Sequence, residues 1–343
     1  MKKLSYQQNR LIFRLKGMKL IALIFLGITL SLKAFPQSAF SEKLFEHAKS
    51  TPEEIQKDID ALVSYLKKPT ESKRQLAEVI AYWVMLNIEY DVKSFVNNIN
   101  TPPSWETTLI STKAVCSGYA NLYKELCDRA GVKSWVISGY SKGYNYILEG
   151  LEQSSHAWNI IQTDGEFHLM DLTWASGFVE MVNNRLTYFP QPDRSFLFAE
   201  PTDFIQRHIP NQPRWQLLDF PVSIEAFVGS TTLQDMIDST SQYYNHKDSI
   251  LLYLELEPIE QLIKDTEASH AFFPNNNQLA QQYEYLAYQC VVQGKRKEAF
   301  LNSIKYYKIA ETLYMNNPNH TELDLDRCKE GIKYAQTSLE KYY

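Results

Sequence analysis

"HAWNIIQTDGEFHLMDLTW", residues 156–174, is where the texture of the chain changes. Upstream, apolar residues recur at helical intervals; here they alternate, as in strands with one buried face. Two such runs meet at Asp164-Gly165, a dipeptide suited to the two left-handed positions of a tight hairpin turn. A turn centred there sets Thr163 opposite Glu166 and Trp158 opposite Asp171, with His156 two residues along on the same face. A loop of odd length would put His156 and Asp171 on opposite faces. Asp171, between Met170 and Leu172, is costly to bury without a partner, and His156 is the available one. The expected contact is a hydrogen bond from Nδ1–H of His156 to the carboxylate, leaving Nε2 free to face another group. A histidine at a strand start can equally be a solvated edge residue.

Just upstream, "SWVISGY" (134–140) reads as a further strand. Before it, "AVCSGYANLYKELCDRAGV" (114–132) reads as a helix with Ala120, Tyr123, Leu126, Cys127 and Ala130 on its apolar stripe. Gly131 closes it in the left-handed conformation common after a helix. Cys127 lies on the stripe and is a core residue. Cys116 stands at the start, where the positive end of the helix lowers a thiol pKa and early backbone N–H groups can meet an oxyanion. Ser117 and Gly118 leave the approach uncrowded. From position alone Cys116 is either a small buried residue or a nucleophile.

Further upstream, residues 51–91 read as two helices. Thr51 is a candidate cap and Pro52 suits a first turn. Ile55, Ile59, Leu62, Val63 and Leu66 form one stripe; Pro69 interrupts, and Leu76, Val79, Ile80, Trp83 and Leu86 form the next. Residues 97–112, with Pro102-Pro103, read as a loop. Helices first and an antiparallel sheet afterwards define an α+β domain. Beyond Phe227 the sequence is helical and rich in Tyr, Gln and Asn. Tyr283, Leu286, Ala287, Gly294 and Ala299 resemble a single degenerate tetratricopeptide hairpin, short of the three repeats a solenoid needs. The expected organisation is residues 1–37 as a signal peptide, 38–75 as N-terminal helices, 76–228 as the catalytic domain and 229–343 as a helical appendage that can carry a protein partner.

The signal-peptide reading rests on "MKLIALIFLGITLSLKAFPQS", which begins at Met18, a possible start. Its apolar run from Leu20 to Leu32 is short for a bilayer span and suited to an export signal. An uncleaved anchor is the competing reading, and no Cys follows the run to take a lipid. Residues 1–37 hold seven Lys and Arg and no Asp or Glu, so cleavage takes the formal charge from −5 to about −12. An acidic mature surface argues against nucleic acid and anionic membrane as partners, with membrane contact only through an uncleaved leader. The expected location is the secreted or periplasmic space. Cys290 and Cys328 are the expected pair if a disulfide forms there. His168, three residues from Asp171 along one strand, points to the opposite face. His47, His208, His246, His270 and His320 lie in helical or loop stretches without an evident carboxylate partner. None shows metal-ligand spacing, so no metal and no cofactor are expected.

These blocks, with "VIAYWVMLNIEYD" (79–91) upstream and "HIPNQPRWQLLDFPVSIEAF" (208–227) downstream, resemble the transglutaminase-like superfamily. Within it they are most similar to the branch of the kyphoscoliosis peptidase and the cytokinesis protein with the same domain. The resemblance implies a papain-like α+β core with Cys116, His156 and Asp171 as triad, and acyl transfer through a thioester on protein or peptide amides. Water as acceptor gives a protease or deamidase; an amine gives a cross-linking enzyme. Glu89, Tyr90 and Asp91 fall in the upstream block without an assignable role. No Asp-rich loop supports calcium. Trp158 and Trp174, flanking the hairpin, are candidates for the walls of a substrate site or for core positions. The alternative function is a binding or scaffold module that keeps the fold without needing turnover.

Overall fold

The structure, a computed structural model, describes residues 40–97, 104–144, 155–230, 232–238, 242–273, 278–293, 296–317 and 320–343, with Tyr146 and Leu151. The leader read at 1–37 and Gly294 lie outside these.

Alternation produces the expected hairpin. β4 (Ser155–Thr163) and β5 (Glu166–Met170) pair antiparallel with Thr163 opposite Glu166 and Asn159 opposite Met170. Asp164 and Gly165 both have positive φ, 53° and 82°, as a turn twisted to match its strands requires. β3 (Lys133–Ser141), β8 (Leu197–Ala199) and β9 (His208–Pro210) complete an antiparallel sheet in the order β8-β5-β4-β3-β9. Asp171 does not continue β5: it caps a short helix, Leu172–Ser176, and a two-stranded hairpin of β6 (Gly177–Val182) and β7 (Arg185–Pro190) follows.

Helices cover the sheet because each buries an apolar face. The Cys116–Ala130 helix packs on β3 and β4, and the Lys73–Asn87 helix packs behind it. The latter is buried almost all round, which matches its apolar sequence from Val79 to Met85. Opposite, Ile137, Trp158, Ile160 and Leu169 form a cluster with Phe204, Trp215, Leu217, Ile250 and Tyr253. Ile250 and Tyr253 belong to the helix His246–Leu254, so the C-terminal region packs on the sheet and contributes to its core. The expected boundary at 75/76 likewise falls inside a helix. The chain after Leu256 runs through four successive packed helices, Pro258–Phe272, Leu279–Gln293, Lys297–Asn316 and Glu322–Tyr342, around a cluster including Tyr283, Leu286, Tyr307 and Ala310.

Four local expectations change. Thr51 does not cap the first long helix; Asp58 caps Ile59–Leu66, accepting from the backbone N–H of Asp60 and Ala61, and residues 53–55 form a separate 3-10 turn. A closer carboxylate in the right backbone conformation outcompetes a distant hydroxyl. Residues 97–112 are not one loop: Ser104 caps a helix, Trp105–Ser111. Cys290 and Cys328 are not bridged; all four cysteines are free, and burial pushes these two thiols up to about 11 and about 12. His208 is on a strand, not in a helix or loop. No helix among the described residues is long and apolar enough to cross a membrane.

Candidate active site

Two short strands hold the chain as it approaches Cys116. β1 (Glu89–Tyr90) pairs in parallel with β2 (Lys113–Ala114), and the N–H of Asp91 donates to the carbonyl of Ala114. Val115, extended, then occupies the cap position with no side chain over the first turn, so the opening of the fifteen-residue helix is left to Cys116. The Tyr119 hydroxyl donates to the carbonyl of Ile88 at 2.6 Å and ties this helix to the upstream block. Cys116 is partly accessible, whereas Cys127, Cys290 and Cys328 are buried.

Burial raises the Cys116 thiol, but a hydrogen bond with His156, the His156 charge and the backbone N–H of Ala157 outweigh it, so the net displacement is downward. Burial likewise pulls His156 down, and the Asp171 charge and hydrogen bond, with the Cys116 thiolate, reverse this and raise it to about 10. These influences together favour a thiolate–imidazolium pair.

His156 Nε2 lies 2.8 Å from Asp171 Oδ2. The nitrogen assignment expected from the strand pairing is thus reversed. The β4–β5 ladder ends at Asn159 and Met170, beyond which the two chains diverge, and the far nitrogen of the ring spans the gap. Nδ1 remains for the thiol. The other oxygen of Asp171, Oδ1, accepts from the N–H groups of Thr173 at 2.9 Å and Trp174 at 3.1 Å. Fully buried, Asp171 is pushed up by desolvation, yet the charges and hydrogen bonds of His156 and His208 hold it well below the usual carboxylate range.

His208 is the residue that sequence reasoning missed. Its Nε2 donates to the same Oδ2 at 2.9 Å from 37 positions down the chain. The signal available was indirect: a buried carboxylate with more acceptor positions than His156 can fill, and a histidine opening the downstream block. His246 also has a carboxylate within reach, Asp219 at 3.3 Å, at a site apart from this one. His156, Asp171 and His208 are a donor set that a divalent metal can use. Their separations of 2.8 and 2.9 Å fit N–H···O bonds, whereas tetrahedral zinc would spread its ligands to roughly 3.3 Å.

Trp158 is buried in the core cluster beneath the site, its ring 5.9 Å from that of His156. Trp174 is half-buried, with ring distances of 6.0 Å to His156 and 4.4 Å to His208, and is the one of the two with surface to offer a substrate. Of the upstream trio, Glu89 pairs with Lys113 at the surface and Asp91 caps the helix Val92–Val96. Tyr90, half-buried, stands near enough that burial and then the charges of Cys116 and Asp171 push its hydroxyl up.

The fold is α+β, with a cysteine at a helix start and a histidine and carboxylate paired at one end of an antiparallel sheet. A family model described as the transglutaminase-like superfamily matches residues 60–172. The chain is 31% identical over 220 residues to the kyphoscoliosis peptidase of Mus musculus, covering 63% of this chain and 32% of that one. It is 31% identical over 190 residues to the kyphoscoliosis peptidase of Homo sapiens, 54% of this chain and 27% of that one. Hillarin of Drosophila melanogaster is 26% identical over 193 residues, 52% of this chain and 23% of that one. A solved structure titled as that of a TGase is 17% identical, covers 38% of this chain and 37% of that chain, and has a TM-score of 0.28. Residues 60–172 thus carry a transglutaminase-like domain, and the chain is similar to the kyphoscoliosis peptidases. It spans about a third or less of those relatives' length.

Proposed function

We propose that this protein is an exported cysteine enzyme that transfers acyl groups from protein or peptide amides through a thioester on Cys116. The observation that carries the reading is the 2.8 Å bond from His156 Nε2 to a buried, fully hydrogen-bonded Asp171, and the charge of that same His156 favours the thiolate of Cys116 at the helix start. In this reading the thiolate attacks the amide carbonyl carbon, and the helix-start N–H groups donate to the oxygen on which negative charge develops. His156 gives its proton to the departing amine, the C–N bond breaks and the thioester remains. Water or an amine then attacks the thioester, His156 takes up its proton, and the thiolate leaves. The names of the two peptidase relatives support water as an acceptor.

The test is mass spectrometry of a peptide library with and without an added primary amine, comparing wild type with Cys116→Ala. Cleavage, deamidation or amine incorporation that depends on Cys116 supports the enzyme and names the acceptor. A complete lack of Cys116-dependent product, with a biological phenotype that survives Cys116→Ala, favours the scaffold function instead. Export is part of the same reading, supported by the basic, apolar sequence of residues 1–37. Mass analysis of the natural protein checks it, and an intact residue 1 on a protein retained in the cytoplasm overturns it.

A further inference from the structure

We propose that His208 is a positioning residue of this reaction: as a second, neutral imidazole on Asp171 it fixes the carboxylate so that the site's single positive charge resides on His156. The inference rests on the acyl-transfer reading above and concerns the same site.

A carboxylate has about four acceptor positions, and Asp171, with no exposed surface, has four donors. Two are backbone N–H groups fixed by the helix Leu172–Ser176; the other two are imidazoles sharing Oδ2. Because Asp171 is shut off from solvent, Oδ2 keeps its orientation toward His156 only while the other lone pair is held by a protein donor. His208 is built to hold it. It is 1% exposed, stands on β9 opposite Ser141 of β3, and stacks on Phe204 at 4.1 Å with Trp174 at 4.4 Å. The ring has no free rotamer, and a carboxylate opposite Nε2 requires the proton there.

The two imidazoles differ in what charge costs them. Their centroids are 5.5 Å apart around one anion, so a second cation would be repelled by the first. Burial lowers His208 below its ordinary value despite Asp171, and the His156 charge adds to that. His156 has the thiolate as an additional counter-ion, so the proton belongs there. A purely architectural role for His208, closing β9 onto the sheet, would leave the thiol's ionisation untouched. That difference is measurable.

The experiment follows the pH dependence of Cys116 alkylation by iodoacetamide in the full chain for wild type, His208→Gln and His208→Phe. Phe keeps the ring's volume without the donor; Gln keeps an N–H. In His208→Phe the thiol midpoint should rise by about one unit, slowing alkylation below the midpoint about tenfold, while His208→Gln should stay within about threefold of wild type. A folded His208→Phe protein with the wild-type midpoint overturns the inference alone. An ordinary thiol midpoint in wild type overturns the functional reading and this inference together. Should His208→Phe not fold, nitrogen NMR of wild-type His208 decides. A neutral Nε2–H ring across the neutral range supports the role, and an imidazolium there refutes it.

Discussion

Burial and the Asp171 charge favour the thiol of Cys116, whereas His156, the N–H of Ala157 and the helix start favour the thiolate. The other three cysteines have burial alone or nearly so, with exposures of 0% for Cys127, 3% for Cys290 and 0% for Cys328. A thiol titration should therefore find four reactive groups after denaturation without reductant and one, Cys116, in the native protein near neutral pH. Fewer than four on denaturation would restore the disulfide. At the same scale, turnover should have a defined pH window. It opens as Cys116 ionises below the pKa of a free thiol and closes as His156 loses its proton near about 10, so a bell-shaped rate profile is expected. Stability has its own limits. The raised His156 contributes fully below its unfolded pKa of about 6.5, and that contribution is lost as pH rises through the folded value. The depressed Asp171 contributes above its unfolded pKa of about 3.9 and is lost on acidification. Urea midpoints measured across pH should fall on both sides of that plateau.

Among the elements, the hairpin and its neighbours place the chemistry. The parity of the Asp164-Gly165 turn puts His156 and Asp171 on one face, and the pairing of β3 with β9 delivers His208 to the same carboxylate. Gly139 is where these meet: it pairs with His156 on one side and Pro210 on the other. A Cβ there would come within 2.2 Å of the carbonyl oxygen of Ile209 and 2.6 Å of the Trp158 ring. Backbone cannot yield as a side-chain tip can, so Gly139→Ala should force β9 off β3. The expected cost is about 3 kcal/mol, with a raised Cys116 midpoint as His208 withdraws. Chemical denaturation and alkylation of the same sample test both. An unaltered midpoint would separate β9 from the site.

Across the whole molecule, the sheet is covered on one face by the helices that carry and back Cys116, and on the other by residues from the C-terminal half. Ile250 is fully buried among Ile137, Trp158 and Ile160. The region after residue 228 is thus part of the support for the strand that holds His156. Ile250→Ala should destabilise the protein by about 2–5 kcal/mol, read as a single shifted unfolding transition. Two transitions, with the first confined to the C-terminal half, would mean that the halves fold independently.

Much of the candidate site is legible in residues 111–174, because helix starts, tight turns and strand parity are written by near neighbours. Alternation and a turn that needs two positive φ values fixed which side chains share a face, and a buried carboxylate demanded a partner. Tertiary structure decided the rest. It chose the imidazole nitrogen that meets Asp171, brought in His208, left Cys290 and Cys328 unbridged, and joined Ile250 to the sheet. Those outcomes depend on packing between segments distant in sequence, where no turn parity or local period carries a signal.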